Sequence, residues 1–412
     1  MNALDEVRNG KPVRGRFDER FRPVAEAFLE NFESRGEAGG SLCFSLEGET
    51  VVDLYGGHRD TEETQPWAED TISLVLACTK AATALCAHLL AERGKLDLHA
   101  PVTDYWPEFG QNGKEGATVR MLLNHSVGLP ALRDRVKPGG FYDWEYMTER
   151  LAAEAPFWEP GTRNGYHMMT FGWTVGEIVR RVSGKSLGTF FREEIALPLG
   201  LDFFIGLPES ERERVAPMIP SVPDPSEPPL PFATALLADR KSIPFLALVN
   251  NGGYEPDAPE AYAAEIGAGG GIANARALAG MFTPLANGGQ SNGLRLLSAE
   301  RIETMRTVSV ATECDATLQM PTRYGQGFMR SMDNRARPSG ALESAILGRE
   351  AFGQSGSGGS LGFADPECHL AFGYSMTKMG AGVLLNERGQ SLVDATYRCL
   401  GYRTDSPGCW IR

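Results

Sequence analysis

A lysine, Lys80, lies in residues 71–94 (TISLVLACTKAATALCAHLLAERG), where a short apolar run leads into about five turns of predicted helix. Small residues and leucines occupy almost every face of the predicted helix, which is typical of a helix buried on all sides. A buried ammonium without a partner is costly, so a lysine in such a place is usually paired, or has a lowered pKa and a chemical role. The fold must therefore either pair the Lys80 ammonium with a partner or lower the pKa of the amine.

Residue 77 lies one helical turn before Lys80, and residues three apart share a helix face. A serine there would form a Ser-x-x-Lys pair, in which the amine could take the hydroxyl proton. Position 77 is alanine in this chain. A purely structural alternative is a core helix whose lysine reaches the surface through its aliphatic stem.

Two other side chains could be mistaken for nucleophiles. Cys78 is two residues from Lys80 and points away from its face, so we expect a small core residue there. A literal Ser-x-x-Lys sequence occurs at Ser375 to Lys378. It ends an alternating run that predicts a strand, where residues three apart point to opposite faces, and proton transfer between them is excluded.

Composition narrows the class of partner. The chain has 412 residues, enough for one large domain or two coupled ones. A net charge of -13 and a pI near 5.1 argue against nucleic acid, which leaves a small neutral or apolar molecule as the expected partner. Seven scattered cysteines without Cys-x-x-Cys spacing indicate reduced thiols, with neither disulfides nor a zinc site.

The first twenty residues carry charges where a secretory signal would need an apolar core, and no later stretch approaches about 18 consecutive apolar residues. We therefore expect a soluble, cytoplasmic protein that does not associate with a membrane.

Periodicity predicts strands at both ends of the chain and helices between them, hence an antiparallel sheet built from the two termini. Strands are predicted at 41–46, 50–57, 322–330, 352–367 and 369–376. Helices are predicted at 18–35, 143–155, 170–184, 186–201 and 390–401, with a surface loop at 217–231 and a glycine-rich turn leading into a helix at 267–289.

Residues 77–82, ACTKAA, resemble the Ser-x-Thr-Lys segment of the serine β-lactamase and penicillin-binding-protein superfamily, in particular the class C β-lactamases and the family VIII carboxylesterases. The resemblance implies an α/β fold with an antiparallel sheet flanked by helices, plus a mostly helical subdomain. It places the α/β subdomain at 1–105 and 290–412 and the helical subdomain at 106–289.

The resemblance also supplies a catalytic tyrosine, Tyr166, in the run PGTRNGYHM at 160–168. We expect the neighbouring Lys80 ammonium to lower the tyrosine pKa from its usual value near 10, which would make the phenol a useful base. Met168 stands where class C enzymes carry asparagine, which argues against specialisation for β-lactams. The structural alternative is that Tyr166 only packs in the core.

In this family the third element is a Lys-Thr-Gly or His/Trp-x-Gly triplet on an edge strand beside the nucleophile, and here it aligns with Gln354-Ser355-Gly356. Gln354 provides no cation for a β-lactam carboxylate, which favours neutral esters. The N–H groups of residue 77 and Ser357 would form the oxyanion hole. Alone, the segment would be interpreted as a glycine-rich turn. His125, in a run similar to a family helix end, is expected to form structural hydrogen bonds.

Together these elements imply acyl transfer by a carboxylesterase-like serine hydrolase, with Lys80 and Tyr166 activating a serine at position 77 and no metal or organic cofactor. The same elements allow a β-lactamase or a biosynthetic acyltransferase. Ala77 is explained in one of two ways: the chain is an inactive form whose nucleophile has been replaced, or it is a natural, non-catalytic binding relative.

Overall fold

Two distant parts of the chain build one antiparallel sheet of ten strands, in the order β1-β2-β4-β3-β16-β15-β14-β13-β12-β11. The computed structural model describes residues 1–412. Its strands are β1 (Asn2–Arg8), β2 (Lys11–Phe17), β3 (Gly39–Leu46), β4 (Glu49–Gly57), β5 (Ile72–Leu74), β6 (Phe203–Phe204), β7 (Val215–Ala216), β8 (Ile272–Ala273), β9 (Gln290–Ser291), β10 (Leu294–Arg295), β11 (Val310–Thr312), β12 (Thr322–Tyr324), β13 (Met329–Arg330), β14 (Phe352–Ser355), β15 (Leu361–Asp365) and β16 (Leu370–Met376). The antiparallel sheet predicted from the two termini is confirmed.

Helices fill the middle of the chain and cover both faces of the sheet. They are α1 (Arg22–Glu33), α2 (Thr79–Glu92), α3 (Val119–Leu123), α4 (Trp144–Ala153), α5 (Thr170–Ser183), α6 (Leu187–Phe191), α7 (Leu197–Leu199), α8 (Pro231–Ala238), α9 (Ile243–Val249), α10 (Pro259–Ala263), α11 (Ala275–Ala286), α12 (Ala299–Arg306) and α13 (Glu387–Cys399). The helix predicted over 186–201 forms as α6 and α7, joined by a π-helical turn at Arg192–Ala196. None of the helices is both long and apolar enough to cross a bilayer.

Side-chain size alternates along the central strands and sets which helices pack on each face. Phe363 and Phe372 point into the same apolar cluster as α1 and α13, whereas Ala364 and Ala371 face the cluster that holds α2 and α11. Gly373 permits close approach, because a Cβ there would lie 2.8 Å from the Ala279 backbone nitrogen of α11. Large residues on one face and small ones on the other therefore position α11 directly against the sheet.

The β1–β2 hairpin was not predicted. Six of its fourteen strand residues are charged, and only Leu4 on β1 and Val13 and Phe17 on β2 are buried, so the apolar alternation is weak. The sequence does contain a hairpin signal, because the turn is Asn9-Gly10, with φ of 49° and 76°. Positive φ at both positions is what a tight two-residue hairpin turn requires.

The apolar segment at 71–94 forms a short extended run followed by a helix, as predicted, but the helix is shorter than the five turns expected. It consists of β5, a short 3₁₀ turn (Leu76–Cys78) and α2, whose 14 residues make about four turns. Every residue of α2 from Thr79 to Ala91 is buried, which confirms the predicted burial on all faces. β5 joins β6, β7 and β8 in a second, four-stranded sheet that was missed because strands of two or three residues have no measurable period.

The buried ion pair between Arg388 on α13 and Glu37 before β3 generates a stability prediction. The two side chains are 2.6 Å apart and almost fully buried, and Glu37 also accepts the Tyr374 hydroxyl. Arg388→Met would leave a carboxylate buried and unpaired, which we expect to lower the free energy of unfolding by about 3–5 kcal/mol in urea titration. The matched control is Arg22→Met, which breaks an exposed pair with Glu19 and should cost about 0–1 kcal/mol. Equal effects of the two changes would contradict this assignment.

Candidate active site

The Lys80 amine is enclosed by main-chain carbonyls and has no carboxylate partner. The side chain is 1% exposed, and Nζ donates to the carbonyl oxygens of Met168 at 2.7 Å and Ala268 at 3.0 Å. Because burial disfavours the ammonium form, it lowers the pKa of Lys80 to about 7. A neutral amine that uses its two N–H groups on these carbonyls keeps a lone pair free, so Lys80 can act as a base near neutral pH.

The 3₁₀ turn Leu76–Cys78, directly before α2, leaves residue 77 partly exposed. Leu76 has φ of 46°, an uncommon conformation for a residue with a side chain and a sign of local strain. The first hydrogen bond of the 3₁₀ turn runs from the Cys78 N–H to the Val75 carbonyl, so the Ala77 N–H precedes the hydrogen-bonded part of the turn. Ala77 is half-buried, although the three residues after it are buried.

The glycine-rich loop after β14 lies directly against this turn. A Cβ on Gly356 would be 2.7 Å from the Val75 carbonyl oxygen, so glycine is required for the approach. Ser360 Oγ donates to the same carbonyl at 3.0 Å, and Cys78 Sγ lies 3.2 Å from the Gln354 carbonyl oxygen. Cys78 is thus a buried structural residue, as predicted. The exposed Ser357 has an N–H that donates to no other group of the chain.

Tyr166 and Gln354 meet beside the Lys80 amine. Lys80 Nζ is 4.5 Å from the centroid of the Tyr166 ring, and Gln354 Nε2 is 3.5 Å from the Tyr166 hydroxyl. Ala77 and Met168 are half-buried and pack against the apolar cluster that contains Tyr166. The Ser355 hydroxyl does not lie beside Tyr166 and Lys80, because it points to the other side of β14, where it is 3.5 Å from Met329 Sδ. Of the Gln354-Ser355 pair, only the Gln354 side chain reaches the tyrosine.

The expected lowering of the Tyr166 pKa is wrong in sign. Burial, reinforced by Cys78 and by the Asp315 carboxylate, raises the pKa of Tyr166 far above its usual value. Lys80 does not counteract this effect, because its own amine is desolvated and loses its proton near pH 7. Tyr166 is therefore a neutral phenol across the physiological range, and the amine is the more basic partner.

The loop that carries Tyr166 is fixed from two sides. The His167 N–H donates to His125 Nδ1 at 3.0 Å, and the His125 ring lies 5.0 Å from the Tyr166 ring. Burial lowers the pKa of His125 well below its usual value, so it stays neutral and has the structural role that we expected. On the other side, the Tyr166 N–H donates to both oxygens of the buried Asp315 carboxylate, at 2.9 and 3.0 Å. Asp315 was not among the site residues predicted from the sequence.

The fold and the surroundings of Lys80 define a class, an α/β protein of the β-lactamase type whose buried helix α2 carries a lysine in its first turn. Comparisons with known proteins agree, since the model of the family described as beta-lactamase matches residues 17–396. This chain belongs to the beta-lactamase family.

Close relatives carry both esterase and penicillin-binding names. "Esterase/beta-lactamase LipL" of Mycobacterium tuberculosis (strain ATCC 25618 / H37Rv) is 37% identical over 376 residues, which are 90% of this chain and 84% of that protein. A solved structure described as a family VIII carboxylesterase matches with a TM-score of 0.84 at 36% identity, over 94% of this chain and 99% of that chain. A penicillin-binding protein homologue from Caulobacter crescentus matches with a TM-score of 0.83 at 35% identity, over the same shares.

The buried amine makes stability depend on pH in a defined direction. Unfolded lysine keeps its proton up to about pH 10.4, whereas folded Lys80 releases it near pH 7. Between these values the unfolded chain holds more protons, so folded-state stability rises with pH. Lys80→Met removes this dependence, and we expect its Tm relative to the parent to be higher at about pH 6 than at about pH 9.

Calorimetry at the two pH values measures this difference in Tm. Lys80→Met also leaves the Met168 and Ala268 carbonyls without a donor, but that loss is the same at both pH values and cancels in the comparison. Lys95→Met, which changes an exposed lysine, should shift Tm by the same amount at both pH values. A Lys80→Met shift that does not change with pH would show that the amine is not desolvated.

Proposed function

We propose that this chain is the nucleophile-free form of a serine hydrolase that cleaves neutral carboxylic esters through an acyl-serine intermediate. The observation that carries the proposal is the desolvated Lys80 amine, one turn from residue 77 and in contact with the Tyr166 ring. An amine with a pKa of about 7 is matched to taking a hydroxyl proton at neutral pH.

Lys80 and Tyr166 have different roles in this mechanism. The neutral Lys80 amine takes the proton of a serine hydroxyl at 77, and the oxygen attacks the ester carbonyl carbon. The N–H groups of residue 77 and Ser357 donate to the oxyanion. As the carbon–oxygen bond breaks, the neutral Tyr166 phenol gives its proton to the leaving alkoxide and regains one from the Lys80 ammonium. Water then attacks the acyl-serine while Lys80 takes its proton, and the Lys80 ammonium returns that proton to the serine oxygen as the carbon–oxygen bond breaks and the acid leaves.

The surroundings of residue 77 favour an uncharged substrate. Gln354, beside the Tyr166 hydroxyl, can donate a hydrogen bond but offers no charge to a carboxylate. Met168, whose carbonyl oxygen accepts the Lys80 amine, is half-buried, and so is Met379, whose side chain lies against Gly358 in the loop after β14. Apolar side chains around a few polar groups suit an ester with apolar substituents.

Three alternatives share these observations. A β-lactamase would turn over nitrocefin in preference to esters, and an acyltransferase would prefer an added alcohol or amine over water as acceptor. A non-catalytic binding homologue accounts for Ala77 without any replacement of the nucleophile, and it requires the source gene to encode alanine at this position.

Restoring the nucleophile tests the proposal directly. We expect Ala77→Ser to hydrolyse p-nitrophenyl esters of short acids at least about 10³-fold faster than the Ala77 chain, because loss of a nucleophile removes most of the rate while binding contacts remain. Release of p-nitrophenol measures the rate. Ala77→Ser combined with Lys80→Met is the control and should return activity to the Ala77 level. If Ala77→Ser is no faster than the parent chain, the proposal fails.

The pH profile distinguishes Lys80 from Tyr166 as the base. In Ala77→Ser, kcat/KM should rise with pH and level off above an apparent pKa of about 7, since only the neutral amine can accept the serine proton. Steady-state rates between about pH 5 and pH 9 give the curve. A profile that stays flat over this interval would contradict Lys80 as the base.

A further inference from the structure

We propose that Asp315 is the positioning residue for Tyr166. It fixes the position of the phenol relative to the ten-stranded sheet, which also carries the glycine-rich loop after β14. This inference rests on the proposed function. Asp315 lies in the connection between β11 and β12, 149 residues after Tyr166 in the chain, and its side chain is fully buried.

The carboxylate is held rigidly by its own segment. Oδ1 accepts the backbone N–H groups of Thr317 and Leu318, both at 2.9 Å, which is a local turn closed by an aspartate side chain. Oδ2 accepts the hydroxyl of Thr322 on β12 at 3.1 Å. The position of the carboxylate is therefore set by the edge of the ten-stranded sheet.

From this fixed position Asp315 binds the tyrosine loop, the irregular segment 164–168 that carries Tyr166. Both carboxylate oxygens accept the Tyr166 N–H, at 2.9 and 3.0 Å. The Ala316 N–H donates to the Asn164 carbonyl at 3.1 Å, which holds the same loop two residues earlier. The ring of Tyr324 on β12 stacks on the Tyr166 ring, with centroids 6.0 Å apart and planes inclined by 11°.

Through these contacts, the ten-stranded sheet positions both Tyr166 and the segment of Gln354 and Ser357. β12 pairs with β13, and β13 pairs with β14, which carries Gln354 and leads into the loop of Gly356 and Ser357. Tyr166 itself belongs to no regular element, and without Asp315 its own N–H would have no partner. The main chain would then be held only at neighbouring residues, such as Asn164, by Ala316, and His167, by His125. A small displacement of the phenol from the leaving-group oxygen is enough to lower the rate strongly.

The kinetic test uses the Ala77→Ser chain. Adding Asp315→Ala should lower kcat by about tenfold to hundredfold while KM changes by less than about threefold, because the phenol is misplaced although the substrate pocket remains. Asp315→Asn keeps one oxygen for the Tyr166 N–H and should recover most of the loss. The matched control is Asp365→Ala, which removes another buried carboxylate, bonded to the Tyr397 hydroxyl at 2.6 Å. Its kcat should equal that of Ala77→Ser.

A second measurement needs no activity and uses the Ala77 chain itself. In protein labelled with 3-fluorotyrosine, the Tyr166 signal in the ¹⁹F NMR spectrum is assigned by its loss in Tyr166→Phe. Asp315→Ala should shift or broaden this signal, and Asp365→Ala should leave it unchanged. If Asp315→Ala does not fold, Asp315→Ser replaces it in both measurements with the same changes expected, because a serine hydroxyl can close the local turn to Thr317 but is too short to reach the Tyr166 N–H.

The outcomes separate this inference from the proposed function. An Asp315→Ala chain that is folded by circular dichroism and keeps kcat within twofold, or that leaves the Tyr166 signal in place, overturns the positioning role. If Ala77→Ser hydrolyses no ester, the proposed function fails, and the NMR measurement alone decides whether Asp315 positions Tyr166.

Discussion

The hydrogen bonds from the Lys80 amine to the Met168 and Ala268 carbonyls connect the three segments that meet at the site: α2, the tyrosine loop and the glycine-rich turn before α11. Because both acceptors are neutral, no carboxylate holds the proton on the amine. Desolvation then dominates the proton affinity, so the pKa of Lys80 falls to about 7. The environment that the burial of Lys80 required is a cage of main-chain carbonyls.

The composition of α2 makes this cage possible. Thr79 Oγ1 accepts the Gly271 N–H at 2.8 Å, and Thr83 Oγ1 donates to the Gly267 carbonyl at 2.7 Å, so the residues on both sides of Lys80 bind the same turn. A Cβ on Gly271 would lie 2.5 Å from Thr79 Oγ1. The glycines in the turn before α11 and the threonines of α2 together allow the turn to approach the helix closely. This approach brings backbone carbonyls within hydrogen-bonding distance of the buried Lys80 amine.

The sequence was sufficient for features with a local pattern, and insufficient for those that depend on distant contacts. Uniform apolarity predicted the burial of α2, and motif resemblance singled out Tyr166 and Gln354, whose side chains lie 3.5 Å apart with the Tyr166 ring beside Lys80. Asp315 could not be found in this way, since a carboxylate that accepts main-chain N–H groups from a distant loop leaves no periodicity or spacing. The sign of the Tyr166 pKa shift was missed for a related reason: it depends on how deeply both the phenol and Lys80 are buried, which no short motif specifies.

The central claim is that residue 77, Lys80, Tyr166 and the loop at Ser357 face one bound ester. Because the Ala77 chain has no nucleophile, it should hold a substrate intact, and a crystal structure with a short p-nitrophenyl ester bound tests the claim most directly. The account predicts the carbonyl carbon about 3–3.5 Å from the place of a serine oxygen on residue 77. It also predicts the carbonyl oxygen within hydrogen-bonding distance of the N–H groups of Ala77 and Ser357. An ester bound elsewhere, or one whose carbonyl oxygen points away from both N–H groups, would contradict it.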